Sequence, residues 1–198
     1  MAIDQVHDLQ KVYRKLLESM SRPGKISSLQ EDLVDGDYKL SCYDATLLSA
    51  LTLLDGEVTF HIISENDQDL AVKISEYTLA RCCPVHEADY VIVLRDASES
   101  EMIRAMENCK NGSLIDPQSS ATWIIESAPL SNNGSITCTG PGIKDLSQLD
   151  VSFSSSFWQA RHERTKEYPL GVDVIFTDEY SQIVCIPRTT SVTNAGVK

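Results

Sequence analysis

Two arginines sit beside prolines in short, rigid motifs, Ser21-Arg22-Pro23-Gly24 and Pro187-Arg188-Thr189-Thr190. A guanidinium fork can grip a carboxylate or a phosphate through two parallel N–H bonds. The hydroxyls of Thr189 and Thr190 could add contacts, and a neighbouring proline lowers the entropy lost in presenting the fork. The chemistry these residues suggest is recognition of an anion or of a partner's carboxylate. The competing use is a structural salt bridge, with Asp173, Asp116 or another subunit as the acid. Two further rigid motifs lie in the same third of the chain, Thr139-Gly140-Pro141-Gly142-Ile143 and Tyr168-Pro169-Leu170-Gly171-Val172-Asp173. In the first, Pro141 fixes one dihedral while Gly140 and Gly142 permit positive ones or the close approach of a ligand or another chain. A rigid strand exit would need the same residues.

Other chemistries lack their residues. Gly140-Pro141-Gly142 has neither the spacing nor the lysine of a phosphate-binding loop. No Gly-x-Ser-x-Gly elbow is present, and Ser154-Ser155-Ser156 reads as a polar helix start. His7, His61, His86 and His162 are far apart, and the adjacent pair Cys82-Cys83 has neither zinc nor redox spacing. Cys83, His86 and Asp89 are the one local set that could converge, and no metal is expected. Lys25 follows Gly24 as a loop lysine and does not suggest a Schiff base, so no cofactor is expected either.

These motifs need a framework, and the chain is long enough to supply one. Its 198 residues, 42% hydrophobic and 23% charged, suit one domain spanning 1–198 with a full core. The net charge of −12 disfavours nucleic acid while leaving room for a local arginine site. No run reaches membrane-spanning length, and Met1-Ala2-Ile3-Asp4-Gln5 has no export-signal character, so a cytoplasmic location with six reduced, buried cysteines is expected.

Apolar spacing predicts helices over 4–20 (Asp4 as cap), 45–54 (Asp44 as cap), 67–80, Ser98 to about Lys110, and 154–167. In the third, Leu70, Ile74, Tyr77 and Leu79 should face the core. Ser98 and Glu101 have capping-box spacing. The helix over 45–54 is almost wholly apolar, as a core or interface helix would be. Phe157 and Trp158 beside Arg161 and Arg164 fit an interface patch or a core stripe with a solvated face. Strands are expected near Lys25–Leu29, Tyr38–Leu40, Val58–Ile63, Tyr90–Leu94, Thr122–Ile125, Ile136–Thr139, Val172–Phe176 and Ile183–Ile186. Asn132-Asn133-Gly134 has the chemistry of a hairpin turn. Helix–strand alternation to about residue 110, followed by hairpin-like pairs, implies an α/β domain: a mixed β-sheet flanked by helices.

With these segments in hand, the chain resembles the H subunit family (PhnH) of the bacterial carbon–phosphorus lyase system, over almost its whole length. The likeness rests on ordered short motifs. They begin with Val12-Tyr13-Arg14 through Met20, Ser21-Arg22-Pro23-Gly24, Leu51-Thr52-Leu53-Leu54-Asp55 and Ala88-Asp89-Tyr90. They continue with Gly112-Ser113-Leu114-Ile115-Asp116-Pro117, Ala121-Thr122, and Ile136–Cys138 leading into 139–143. The last are 168–173 and 187–190. Tyr168 stands where the family pattern has Phe.

The resemblance implies a part in phosphonate breakdown, in a complex with subunits G, I and J. The G, H and I subunits, with the L protein, are associated with forming α-D-ribose 1-methylphosphonate 5-triphosphate from ATP and methylphosphonate. The I subunit is credited with nucleoside cleavage, and the radical iron–sulfur chemistry belongs to J. The resemblance also implies a homodimer and a fold like that of pyridoxal-phosphate-dependent transferases without the cofactor lysine. A non-autonomous subunit is therefore the leading expectation. The alternatives are an independently active transferase or lyase and a small-anion-binding module.

Overall fold

The computed structural model describes residues 7–30, 40–66 and 68–194. Asp4 as a helix cap and the start of the strand near Tyr38 lie outside those residues. The order is α1 (His7–Ser21), β1 (Ser27–Ser28), α2 (Asp44–Leu53), β2 (Thr59–Ile63), α3 (Gln68–Thr78), β3 (Arg81–Cys82), β4 (Tyr90–Val93) and α4 (Glu99–Asn108). It continues with a 3-10 turn (Pro117–Ser119), β5 (Thr122–Glu126), β6 (Ser131–Thr139), β7 (Ser147–Asp150), α5 (Ser155–Thr165), β8 (Asp173–Thr177), β9 (Gln182–Ile186) and β10 (Ser191–Asn194).

Seven strands form the main sheet in the order β1-β9-β8-β5-β4-β2-β3. From β3 to β8 the neighbours run parallel; β9 turns back against β8, and β1 against β9. The sheet is therefore mixed and the fold α/β, as the alternation predicted. Its strands read as continuous apolar runs because both faces are covered. Side chains alternate between two cores. Val91, Val93, Trp123, Ile125, Val174 and Phe176 face one, with α4, α5 and the small antiparallel sheet β10-β6-β7. Ile92, Ile124, Ile175 and Cys185 face the other, with α1, α2 and α3.

Several local expectations change. Asp44 is the first residue of α2 and Tyr43 occupies the cap, with no side-chain cap bond. Residues Ala45 to Ala50 of α2 are all buried within the chain, packed beneath α1. That helix is a core element and offers little interface area. In α3, Leu70 and Ile74 are buried but Tyr77 and Leu79 are exposed, because the helix ends at Thr78 and Leu79 takes a positive φ of 65°. Ser98 caps α4 by accepting from the Glu101 N–H. Asn132-Asn133-Gly134 is no hairpin turn. It lies inside β6, where the register against β7 shifts between Ser131 and Ile136. A Cβ on Gly134 would stand 2.1 Å from the Leu149 carbonyl oxygen, so close strand approach, not a turn, explains this glycine.

Candidate functional site

The four Pro/Gly motifs, spread over 170 positions of sequence, meet at one end of the main sheet. The 139–143 loop follows β6 and lies on the segment closing α1. Gly142 has φ 84°, and a Cβ there would sit 2.4 Å from the Ser21 carbonyl oxygen. Gly140 has φ 137°, and its Cβ would be 2.9 Å from the Thr189 carbonyl oxygen. Both glycines are thus required by close approach of the chain's own motifs, 21–24 on one side and 187–190 on the other. Asp173 opens β8, directly beside Arg188, which follows β9.

Arg188 is occupied by its own fold. Its Nε lies 3.1 Å from Asp173 Oδ2, its Nη2 reaches the same oxygen, its backbone N–H donates to Asp173 Oδ1 at 2.7 Å, and Nη1 donates to the Pro117 carbonyl at 2.7 Å. The side chains are 17% and 21% exposed, so this bidentate pair is largely shielded from water. It ties β8, the β9 exit and the 3-10 turn together. Arg22 is far more exposed, pairs with Glu18 at 3.4 Å, and borders an open cavity of about 600 Å³ with Lys25, Gly142 and Lys144. The two arginines therefore do not share a site.

The structure draws in another arginine that helical periodicity had left on a possible solvated face. Helix α5 starts where Ser154 accepts from Ser156 N–H and Phe157 N–H. Phe157 packs into an aromatic cluster, 5.1 Å from the Trp158 ring and 6.4 Å from Phe176. This settles Phe157 and Trp158 as core residues, and it carries Arg161, four positions along, inward as well. Arg161 is 2% exposed. Its guanidinium donates to the carbonyls of Pro187 (2.7 Å), Thr190 (3.2 Å) and Ile186 (3.4 Å). Among the described residues no carboxylate stands within ion-pair distance of it. Burial accordingly pulls its pKa down to about 10, with the Asp173 charge acting the other way. Arg164, one turn on, donates to the carbonyls of Cys109 and Glu107 and so closes the C-terminus of α4.

Between α5 and the 187–192 segment lies a cavity of about 320 Å³. Trp158, Arg161, His162, Lys166, Arg188 and Thr190 are among its lining residues, and no acid is. Thr189 is exposed at its edge and Thr190 is buried. Of the expected recognition set, Arg188, Thr189 and Thr190 line one cavity, Asp173 is bound to Arg188 and Gly140 packs on Thr189 without lining it, and Arg22 and Gly142 border a second.

Elsewhere, Cys83, His86 and Asp89 form no metal set, and none of three or more candidate ligands is found among the described residues. Asp89 instead accepts from Thr59 and from Lys110 at 2.6 Å. Cys109, Cys138 and Cys185 are buried but Cys82 is exposed, so the thiols are not uniformly buried; none is in a disulfide. No helix among the described residues is long and apolar enough to cross a membrane. At the opposite end of the sheet, two buried carboxylates escaped notice in the sequence. Glu126 accepts from the N–H groups of Tyr43 and Arg95, and Asp178 from those of Leu130, Tyr180 and Gln182.

Fold and site together define an α/β protein whose recurrent Pro/Gly motifs build one rigid, arginine-braced sheet end. The family of bacterial phosphonate metabolism proteins (PhnH) matches residues 2–193, and the chain belongs to that family. It is also 28% identical over 193 residues to HtxG of Stutzerimonas stutzeri, named as a candidate C-P lyase subunit protein; the match covers 94% of this chain and 87% of that protein.

Proposed function

We propose that this chain is a cytoplasmic, non-autonomous subunit of a carbon–phosphorus lyase complex. It would assemble with subunits G, I and J, as a homodimer when isolated, and serve the formation of α-D-ribose 1-methylphosphonate 5-triphosphate from ATP and methylphosphonate. We read its mixed sheet as that of a pyridoxal-phosphate-dependent transferase-like domain, spanning 1–198, without the cofactor lysine. The observation that carries the assignment is family membership over nearly the whole chain, and the relative named as a C-P lyase subunit points the same way. The geometry favours an assembly role over solo catalysis. Arg188 and Asp173 are spent on each other, and Gly140 and Gly142 on close approach to Thr189 and Ser21, which makes a preformed surface that loses little entropy on docking.

The test is co-expression with tagged G, I and J subunits, followed by the ATP-dependent reaction with and without this chain. Stoichiometric co-purification, and loss of product on omission, are expected. Turnover by the isolated chain would favour the independent transferase, and failure to co-purify would remove the subunit reading.

A further inference from the structure

The cavity beside α5 combines three features. First, its lining is basic in an acidic protein: Arg161, His162, Lys166 and Arg188 line it with no Asp or Glu, although Lys166 reaches Glu163 at 3.5 Å outside the lining and the chain carries a net charge of −12. Second, its deepest cation, Arg161, is buried and meets only neutral carbonyls, so its charge is not cancelled. Asp173, whose charge acts on Arg161, is already held by Arg188. Third, three lining residues each leave a buried polar atom with no hydrogen-bond partner: Trp158 Nε1, Arg161 Nε and Thr190 Oγ1. A buried donor without an acceptor is costly, and native folds rarely keep several in one place. All three can donate and all three are covered from solvent, so a side-chain adjustment that turns them to the cavity would let an acceptor carrying negative charge satisfy them.

We propose that this cavity binds a terminal phosphorus oxyanion, a –PO₃ group of a phosphonate or a phosphate ester, through Arg161, Trp158 and Thr190. His162 and Lys166 on the exposed side of α5 draw the anion in, and a turn of the Thr190 hydroxyl about its χ1 brings it to the bound oxygens. Arg188 stays on Asp173 and forms the wall. A volume of about 320 Å³ admits a tetrahedral oxyanion with a short substituent and leaves a larger molecule's remainder outside. The choice of phosphorus among tetrahedral anions rests on the phosphonate-metabolism reading above; the demand for an anion rests on the cavity alone.

The test uses the full chain, with methylphosphonate, inorganic phosphate and ATP as probes at matched ionic strength. Binding is followed by calorimetry and by thermal unfolding. Two variants, Thr190→Val and Trp158→Phe, remove donors that make no hydrogen bond in the protein. If those groups are merely structural, both variants bind as the parent does, whatever stability Trp158→Phe loses through its smaller ring. The expectation is different: Thr190→Val keeps or exceeds the parent's stability, Trp158→Phe loses some from its smaller ring but stays folded, and each binds roughly tenfold more weakly, as loss of one hydrogen bond to a charged group implies. Arg161→Lys, which keeps the charge and loses the Nε donor, should bind still more weakly.

Methylphosphonate binding that weakens in Thr190→Val assigns the site to free phosphonate. ATP binding with the same sensitivity, and none by the two small anions, assigns it to a triphosphate end. Either supports the proposal. No binding by any probe, or binding unchanged in both variants, overturns it. If binding is present and the chain fails to join G, I and J, only the subunit reading falls. If the chain assembles and the pocket stays empty, only this inference falls.

Discussion

The two ends of the main sheet bury charge in opposite ways. At the C-terminal ends of the parallel strands, Glu126 and Asp178 are each surrounded by backbone N–H groups, two for Glu126 and three for Asp178. At the other end, Arg161 meets backbone carbonyls, keeps Nε unpaired and borders a cavity. Ligands of open α/β sheets ordinarily sit at the C-terminal ends of strands. Here both carboxylates are taken up by backbone N–H groups of the chain itself. Glu126 pins the residue before α2 to the exit of β4, and Asp178 holds the β8–β9 turn. Among the described residues, Trp158 Nε1, Arg161 Nε and Thr190 Oγ1 stand unpaired at the opposite end. Saturation, not burial, separates a structural charge from one with capacity left for a ligand.

The comparison can be broken first at the basic end. Asp173→Asn should cost about 3 kcal/mol, the low end for breaking a buried pair, because it leaves Arg188 charged, largely covered and without its acid. For a chain of this size that is a fall of roughly 6–12 °C in Tm. Calorimetry or denaturant unfolding would measure it. A loss below that of an exposed ion pair would mean that Arg188 is not the brace described.

Glu126→Gln probes the saturated end. A glutamine offers one acceptor oxygen where the carboxylate offers two, so either the Tyr43 or the Arg95 N–H loses its partner, at about 2 kcal/mol. This variant should also change pH dependence. Burial raises the Glu126 pKa, against the lowering effect of the two N–H groups. A raised folded value means that the group's contribution is fully present below the unfolded pKa and is lost as pH rises through the folded one. The advantage of the parent over Glu126→Gln should therefore shrink with rising pH. Urea titrations across the acid-to-neutral range would register a flat difference if the carboxyl were unperturbed.

The smallest effect sharpens the contrast. Asp89 lies at the start of β4. Burial acts to raise its pKa, but bonds from Lys110 and Thr59 outweigh that and lower it overall. Its contribution is present above the unfolded value and lost as pH falls, the reverse of Glu126. Because Lys110 and Asp89 are about a third exposed (31% and 33%), Lys110→Met should cost only about 0.5–1 kcal/mol. The difference from the parent should fade in acid, and guanidinium unfolding at two pH values would check it.

Local pattern determined much of this protein. Alternation located β2 and short apolar, β-branched runs located β4, β5, β8 and β9, because strands buried on both faces need little beyond continuous Val, Ile and Phe. Helical spacing located α1, α4 and α5, and the Ser98 cap was legible because capping depends on three adjacent residues. The rigid motifs were visible as motifs. Their meeting was not, since nothing local says that Gly142 will touch Ser21 or Gly140 will touch Thr189. Asn132-Asn133-Gly134 misled for a related reason: turn chemistry and a close strand approach ask for the same glycine. Arg161 was hidden among the polar residues of α5, where a buried arginine and a solvated one look alike. Only the packing of Phe157 and Trp158 against Phe176 rotates that helix so that Arg161 points inward. Residue types thus set which elements form, through propensity and periodicity. Tertiary packing alone decided which charges were enclosed, which were saturated, and which was left with donors to spare.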